Sequence, residues 1–161
     1  MLQSGLLENI TDYYKIIIIM KKIALTLLLL GQIISAQEWQ TDFKTAQSIA
    51  SETNKNILLV FSGSDWCAPC IKLDREVWAT QEFIKYSRKM VLLKADYPKR
   101  KANKLADEQQ EKNNRLAEKF NAEGNFPLVV VLNPEGNVLY KTGYDKIGVA
   151  GYIALLKQYA N

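Results

Sequence analysis

The chain has 161 residues, 48% apolar and 24% charged, which suits one globular domain. A net charge of +4 is too small to point to nucleic acid. With no histidine and only two cysteines, Cys67 and Cys70, one chain cannot complete a usual structural zinc site, attach a c-type haem through C-x-x-C-H or form a Cys–His protease pair.

The N-terminal region has the pattern of an export leader. Met20-Lys21-Lys22 is a short positive segment, Ile23 to Leu30 is apolar, and Gly31 to Ala36 ends on a small residue. Cleavage is expected after Ala36, although Ile34 is large for its place before the cut. Met20 then reads as the true start, residues 1–19 as an upstream extension, and 20–36 as a signal peptide. The expected location is the periplasm, or the membrane surface if the leader stays as an anchor. Lys21 and Lys22 split the apolar run, and its unbroken part falls short of the ~20 residues of a spanning helix. Residues 37–161 are left as one domain, large enough to bury roughly two thirds of its unfolded surface.

Glu38-Trp39-Gln40 suits a short edge strand. Thr41 or Asp42 can cap a helix whose apolar positions Phe43, Ala46, Ile49 and Ala50 recur at 3–4 spacing. Ile57 to Phe61 is a continuous apolar run, as in a strand covered on both faces. After the loop Ser62-Gly63-Ser64-Asp65, a helix is predicted from Cys67 to about Ile84, with Ile71, Leu73, Val77 and Trp78 inward and Pro69 tolerated in the first turn. Met90 to Leu93 predicts another buried strand, ending near Asp96. Tyr97 to Phe120 is polar and reads as a loop and a mostly exposed helix, anchored by Leu105, Leu116, Ala117 and Phe120. Glu108–Lys112 and Glu111–Arg115 are i,i+4 pairs in the favourable order. Leu128 to Leu132 and Val138 to Lys141 form a hairpin around Asn133-Pro134-Glu135-Gly136-Asn137, Gly143 breaks it, and Val149 to Tyr159 is a last helix with Ile153, Leu155 and Leu156 inward. The predicted fold is α/β, with a mixed central sheet and helices on both faces.

Trp66-Cys67-Ala68-Pro69-Cys70 carries the chemistry. Exported proteins commonly use structural disulfides, but a C-x-x-C bridge closes too small a loop to restrain the unfolded chain. The pair therefore reads as functional, with a silent disulfide and a four-cysteine metal cluster shared by two chains as the alternatives. At a helix N-terminus the free N–H groups and the macrodipole favour a thiolate. Cys67 is expected to attack a substrate disulfide, and Cys70, one turn further in and shielded, to resolve the mixed disulfide. Lys72 and Arg75 are close enough in sequence to assist, and Asp65 to oppose, the thiolate. The basic stretch at Lys99 to Lys104, followed by Asp107, Glu108 and Glu111, reads as a solvated surface.

Phe61-Ser62-Gly63-Ser64-Asp65-Trp66-Cys67, Cys70, Leu73-Asp74 and the later Phe126-Pro127 resemble the thioredoxin superfamily, in detail the exported thioredoxin-like proteins of Gram-negative bacteria. The resemblance spans about Asp42 to Tyr159 and implies the thioredoxin fold. It implies that Pro127 is a cis-proline facing the dithiol, that Phe126 offers its backbone to an extended substrate strand, that Gly143 borders the same groove and that Trp66 flanks the active site. It further implies protein disulfides as substrates, a membrane thiol reductase as electron donor, no cofactor, and a monomer. Two positions depart from the pattern. Thioredoxin has a buried acid on the strand before the motif, where Val60 or Phe61 stands here. Its kinking proline is replaced near Arg75, so a straighter helix is expected. Ala-Pro between the cysteines resembles the Gly-Pro of reducing thioredoxin and implies the reducing direction, with a disulfide isomerase or oxidase as the alternative. The other class left open is a non-catalytic binding module that uses residues 97–120.

Overall fold

The computed structural model describes residues 17, 18, 20, 21 and 37–160. Its contacts divide the chain into Met1–Ala36 and Gln37–Asn161. In the first unit residues 17, 18, 20 and 21 are helical; the rest of the leader expected at 20–36 lies outside the described residues. No helix among the described residues is long and apolar enough to cross a membrane.

The second unit is built on a five-stranded sheet. Its strands are β1 (Trp39–Gln40), β2 (Ile57–Ser62), β3 (Val91–Asp96), β4 (Leu128–Leu132) and β5 (Val138–Thr142), in the order β1-β3-β2-β4-β5. β1, β2 and β3 run parallel, and β4 and β5 form the antiparallel hairpin. Every residue of β2 is buried. Because alternate side chains point to opposite faces, Leu58 and Val60 enter one core while Ile57, Leu59 and Phe61 enter the other.

One core lies between the sheet and the helices α1 (Phe43–Thr53) and α4 (Asp107–Phe120). Asp42 caps α1 through Thr45 N at 2.9 Å, a contribution of about 1 kcal/mol for a typical cap. Ala46 and Ala50, both fully buried, let α1 lie close to the sheet. α4 packs Leu116 and Phe120 as the sequence predicts, and carries the predicted Lys112–Glu108 (2.9 Å) and Arg115–Glu111 (3.2 Å) pairs. Asn113 is also buried; its amide donates to Asp96 O (2.7 Å), which holds α4 to the end of β3.

The other core is covered by α2 (Ala68–Leu73), α3 (Gln81–Ser87) and α5 (Gly148–Leu156). The single straight helix expected from Cys67 to Ile84 is not formed. After Leu73 the chain widens into a π turn over Asp74–Trp78, closed by Ala79 N to Asp74 O at 2.8 Å, and Thr80 then caps α3. The wider turn brings Leu73, Val77 and Trp78 to the core together. Ile71, expected inward, is 45% exposed. Replacing a kinking proline therefore does not make this helix regular.

Two registers position the site. β2 delivers Cys67 and Cys70 just past its C-terminal end. Phe61 pairs with Leu128 across β2 and β4, so Pro127 enters the sheet beside the loop that leaves β2.

Candidate active site

The dithiol is set by a tight turn. Trp66 N and Cys67 N both donate to Gly63 O, at 3.3 and 2.9 Å, and Cys67 becomes the N-cap of α2. Its sulfur accepts from Cys70 N at 3.3 Å, occupying one of the donors a helix start leaves free. Cys67 and Cys70 form a disulfide with Cα atoms 5.2 Å apart. The expected contrast in shielding is absent: Cys67 is 4% exposed and Cys70 3%. What separates them is position, at the cap and one turn inside.

The Trp66 indole is 39% exposed and stands outside both cores. It donates from Nε1 to Tyr97 O (2.6 Å) and meets Phe126 edge-on, with 5.5 Å between ring centres. Its ring lies across Gly63, where a Cβ would stand 2.4–2.7 Å from three indole atoms. Gly63→Ala is therefore expected to displace a rigid, hydrogen-bonded ring. Misplacement on that scale lowers kcat/KM for protein disulfides by on the order of tenfold to 100-fold. Acrylamide quenching of Trp66, in a background lacking Trp39 and Trp78, should rise in the same variant; parent-like quenching and kinetics would refute this role for Gly63.

Asp65, expected to oppose the thiolate, keeps its charge and directs it at the segment after β3. Its carboxylate accepts from Lys99 N (2.9 Å), Arg100 N (3.0 Å) and Asn103 Nδ2 (3.0 Å). The hydrogen bond from Lys99 N is the main reason its pKa lies below the usual carboxylate value of 3.8. Its hold on the 98–103 segment is thus complete above that value and is lost as pH falls through the lower folded-state pKa. Arg75, expected to assist, is turned to Glu76 at the surface (3.6 Å). Glu76 also accepts from Tyr144 Oη, which holds its carboxyl below its ordinary range.

Pro69, between the cysteines, lines a groove of about 630 Å³ together with Phe126, Pro127 and Gly143. The Phe126–Pro127 peptide is cis. A Cβ at Gly143 would meet Pro127 O at 3.6 Å, an ordinary contact, so this glycine leaves width to the groove without being required by the backbone. The loop is held from beneath: Tyr152 Oη donates to Gly143 O (2.5 Å) and accepts from Asp145 N (3.0 Å). Tyr152 is fully buried, and burial raises its pKa to about 12, so it remains a neutral donor. Its apolar neighbours were legible in the sequence, but this tyrosine was missed.

Val60 and Phe61 are buried and supply no carboxylate near the dithiol. The structure supplies one from another direction. A cavity of about 100 Å³ is lined by Cys70, Ser62, Ser64, Ile71, Asp74 and Lys94. Asp74 Oδ1 is 3.2 Å from Lys94 Nζ, and Lys94 is the β3 residue paired with Val60. In the sequence Asp74 stood out only in the Leu73-Asp74 resemblance, with no part in the chemistry. Its signal was the spacing from Cys70, four residues or about one helical turn. Among the described residues no group of three or more His, Cys, Asp or Glu is placed to hold a metal ion.

A cysteine pair three residues apart, at the head of a helix and beside an open groove of about 630 Å³, defines a thiol–disulfide oxidoreductase. A thioredoxin-like family profile matches residues 38–134, and the chain belongs to that family, with its α/β thioredoxin fold. It is 30% identical over 121 residues to the disulfide bond reductase DsbH of Chlamydia pneumoniae, covering 74% of this chain and 70% of that one. It is 31% identical over 106 residues to the thioredoxin-related protein DsbJ of the same organism, covering 65% of this chain and 30% of the relative. A solved DsbH oxidoreductase superposes with a TM-score of 0.68 at 28% identity, over 76% of this chain and 83% of the other.

Proposed function

We propose that residues 37–161 are an exported domain that reduces protein disulfides through Cys67 and Cys70, released from a leader at 20–36. The observation that carries this reading is the dithiol itself, capped at the head of α2 and bordered through Pro69 by the cis-Pro127 groove. An extended substrate strand lies along Phe126 and Pro127, with Trp66 and Gly143 at its sides. The Cys67 thiolate attacks one substrate sulfur, the substrate disulfide breaks, and the other substrate sulfur leaves and takes a proton. The Cys70 thiol then loses its proton towards the Asp74 cavity and attacks Cys67, which restores the intramolecular disulfide and releases the second substrate thiol. Each cycle moves two electrons to the substrate. A membrane thiol reductase supplies the next two electrons: its dithiol exchanges with the Cys67–Cys70 disulfide, becomes oxidised and leaves both thiols reduced.

The name of the DsbH relative supports the reducing direction, as does Ala68-Pro69 between the cysteines. The purified domain is expected to accelerate insulin reduction by dithiothreitol, and Cys67→Ser to return the rate to background. The dithiol potential is expected on the order of −200 to −270 mV. A value near −120 mV, typical of a strong oxidant, would overturn the reducing direction; equal insulin activity without either cysteine would overturn the dithiol mechanism.

A further inference from the structure

The exchange chemistry makes no use of the cations around the groove. Beside the C-x-x-C loop, Lys99, Arg100, Lys101 and Lys104 are exposed. The segment is not a loose solvated tail. Asp65 holds its backbone at Lys99 and Arg100, Trp66 bonds to Tyr97 O, and Ser64 N bonds to Asp96 at 2.9 Å. Lys99 Nζ is thereby placed 3.8 Å from the centre of the Trp66 ring, which also meets Phe126 at the entry to the cis-proline. Lys99 stands outside the groove lining; Lys146 lines the wall with Pro69 and Gly143, its backbone set at φ 55°, while Lys141, also in the lining, donates to Phe120 O.

The acids nearby keep their charge, but among the described residues none forms an ion pair with Lys99 or Lys146. Asp65 and Asp96 are engaged in the hydrogen bonds just named. Asp107 pairs with Lys104 (3.2 Å), and Asp145 accepts from Thr142. Among the described residues lining the groove, Glu123 is the one carboxylate. Lys99 and Lys146 are left as cations that flank the path of a strand crossing the dithiol.

We propose that this cationic rim selects disulfides set in acidic polypeptide segments, with Lys99 and Lys146 meeting carboxylates to either side of the attacked sulfur. The inference rests on the reductase reading of Cys67 and Cys70 and names the substrate class it serves. Charges of opposite sign across an encounter surface act chiefly through the association rate and are screened within about 10 Å at 0.1 M salt.

The test uses two peptides with the same disulfide, one flanked by glutamates and one by lysines. Rates are divided by those for free dithiothreitol, which removes the intrinsic reactivity of each disulfide. The acidic peptide is expected to show about tenfold higher relative kcat/KM at low salt, with the preference fading as ionic strength rises. Lys99→Gln combined with Lys146→Gln should lower the ratio towards parity. A change in dithiol potential moves both peptides alike, so the ratio reports the rim. Equal relative rates for both peptides, or a preference that survives high salt or the double substitution, would overturn the rim proposal alone. Reduction of neither peptide would overturn the reductase reading, and the proposal with it.

Discussion

Cys70→Ser is expected to convert the protein into a trap for its substrates. Cys67 still sits at the cap of α2 beside the groove, so it still attacks and forms a mixed disulfide. No second thiol remains to resolve it, since Cys67 and Cys70 are the chain's only cysteines. Turnover with insulin should therefore fall to background while a covalent complex accumulates. That complex should survive a non-reducing gel and vanish with dithiothreitol. Cys67→Ser should also lose turnover but trap nothing, because its remaining thiol lies one turn inside the helix. Exposure does not distinguish the two sulfurs, so the assignment rests on the cap position and on this result. Trapping by Cys67→Ser and none by Cys70→Ser would reverse the roles. Applied to whole cells, the trap would also name the substrate.

Asp74→Asn is expected to slow the second step by about 100-fold, the lower range for loss of a positioned proton acceptor. Cys70 has to lose a proton before it can resolve the mixed disulfide. The cavity it shares with Asp74 and Lys94 has space for water to carry that proton. Single-turnover traces should show the first attack at its parent rate and a mixed disulfide that lingers. The defect should shrink as pH rises, because solvent base then removes the same proton. Asp74→Glu should recover part of the rate. A general loss of structure is not expected, since the Asp74 side chain is 52% exposed and its pair with Lys94 is of the weak surface kind. Unchanged resolution in Asp74→Asn would remove this carboxylate from the mechanism, and slowing of both steps equally would make its role structural.

Much of the fold was legible because its signals are local. The apolar run at β2, the turn at 133–137 and the i,i+4 pairs of α4 each depend on residues a few positions apart. The break at Ala79–Thr80 was not legible. It arises because the core takes Leu73, Val77 and Trp78 on one face, which a regular helical turn does less well than a wider one. Ile71 has the chemistry of a core residue and the position of a surface one. Tyr152 was missed for the converse reason: a residue with a polar tip lies fully buried because Gly143 O and Asp145 N meet its hydroxyl.

The site divides along the same line. Taken alone, the sequence established a C-x-x-C after a buried strand and at the start of a helix, and with it the redox class, because a cap, a turn and a three-residue spacing are properties of one short stretch. Resemblance, not pattern, pointed to Phe126 and Pro127. Only the tertiary structure decided what surrounds the dithiol. The register of β2 with β4 brings Pro127 to it, the pairing of β2 with β3 brings Lys94 towards Asp74, and Asp65 holds Lys99 over Trp66. Those partners are separated by 20 residues or more in the chain. No periodicity or spacing encodes their distance, which is set by how the sheet closes.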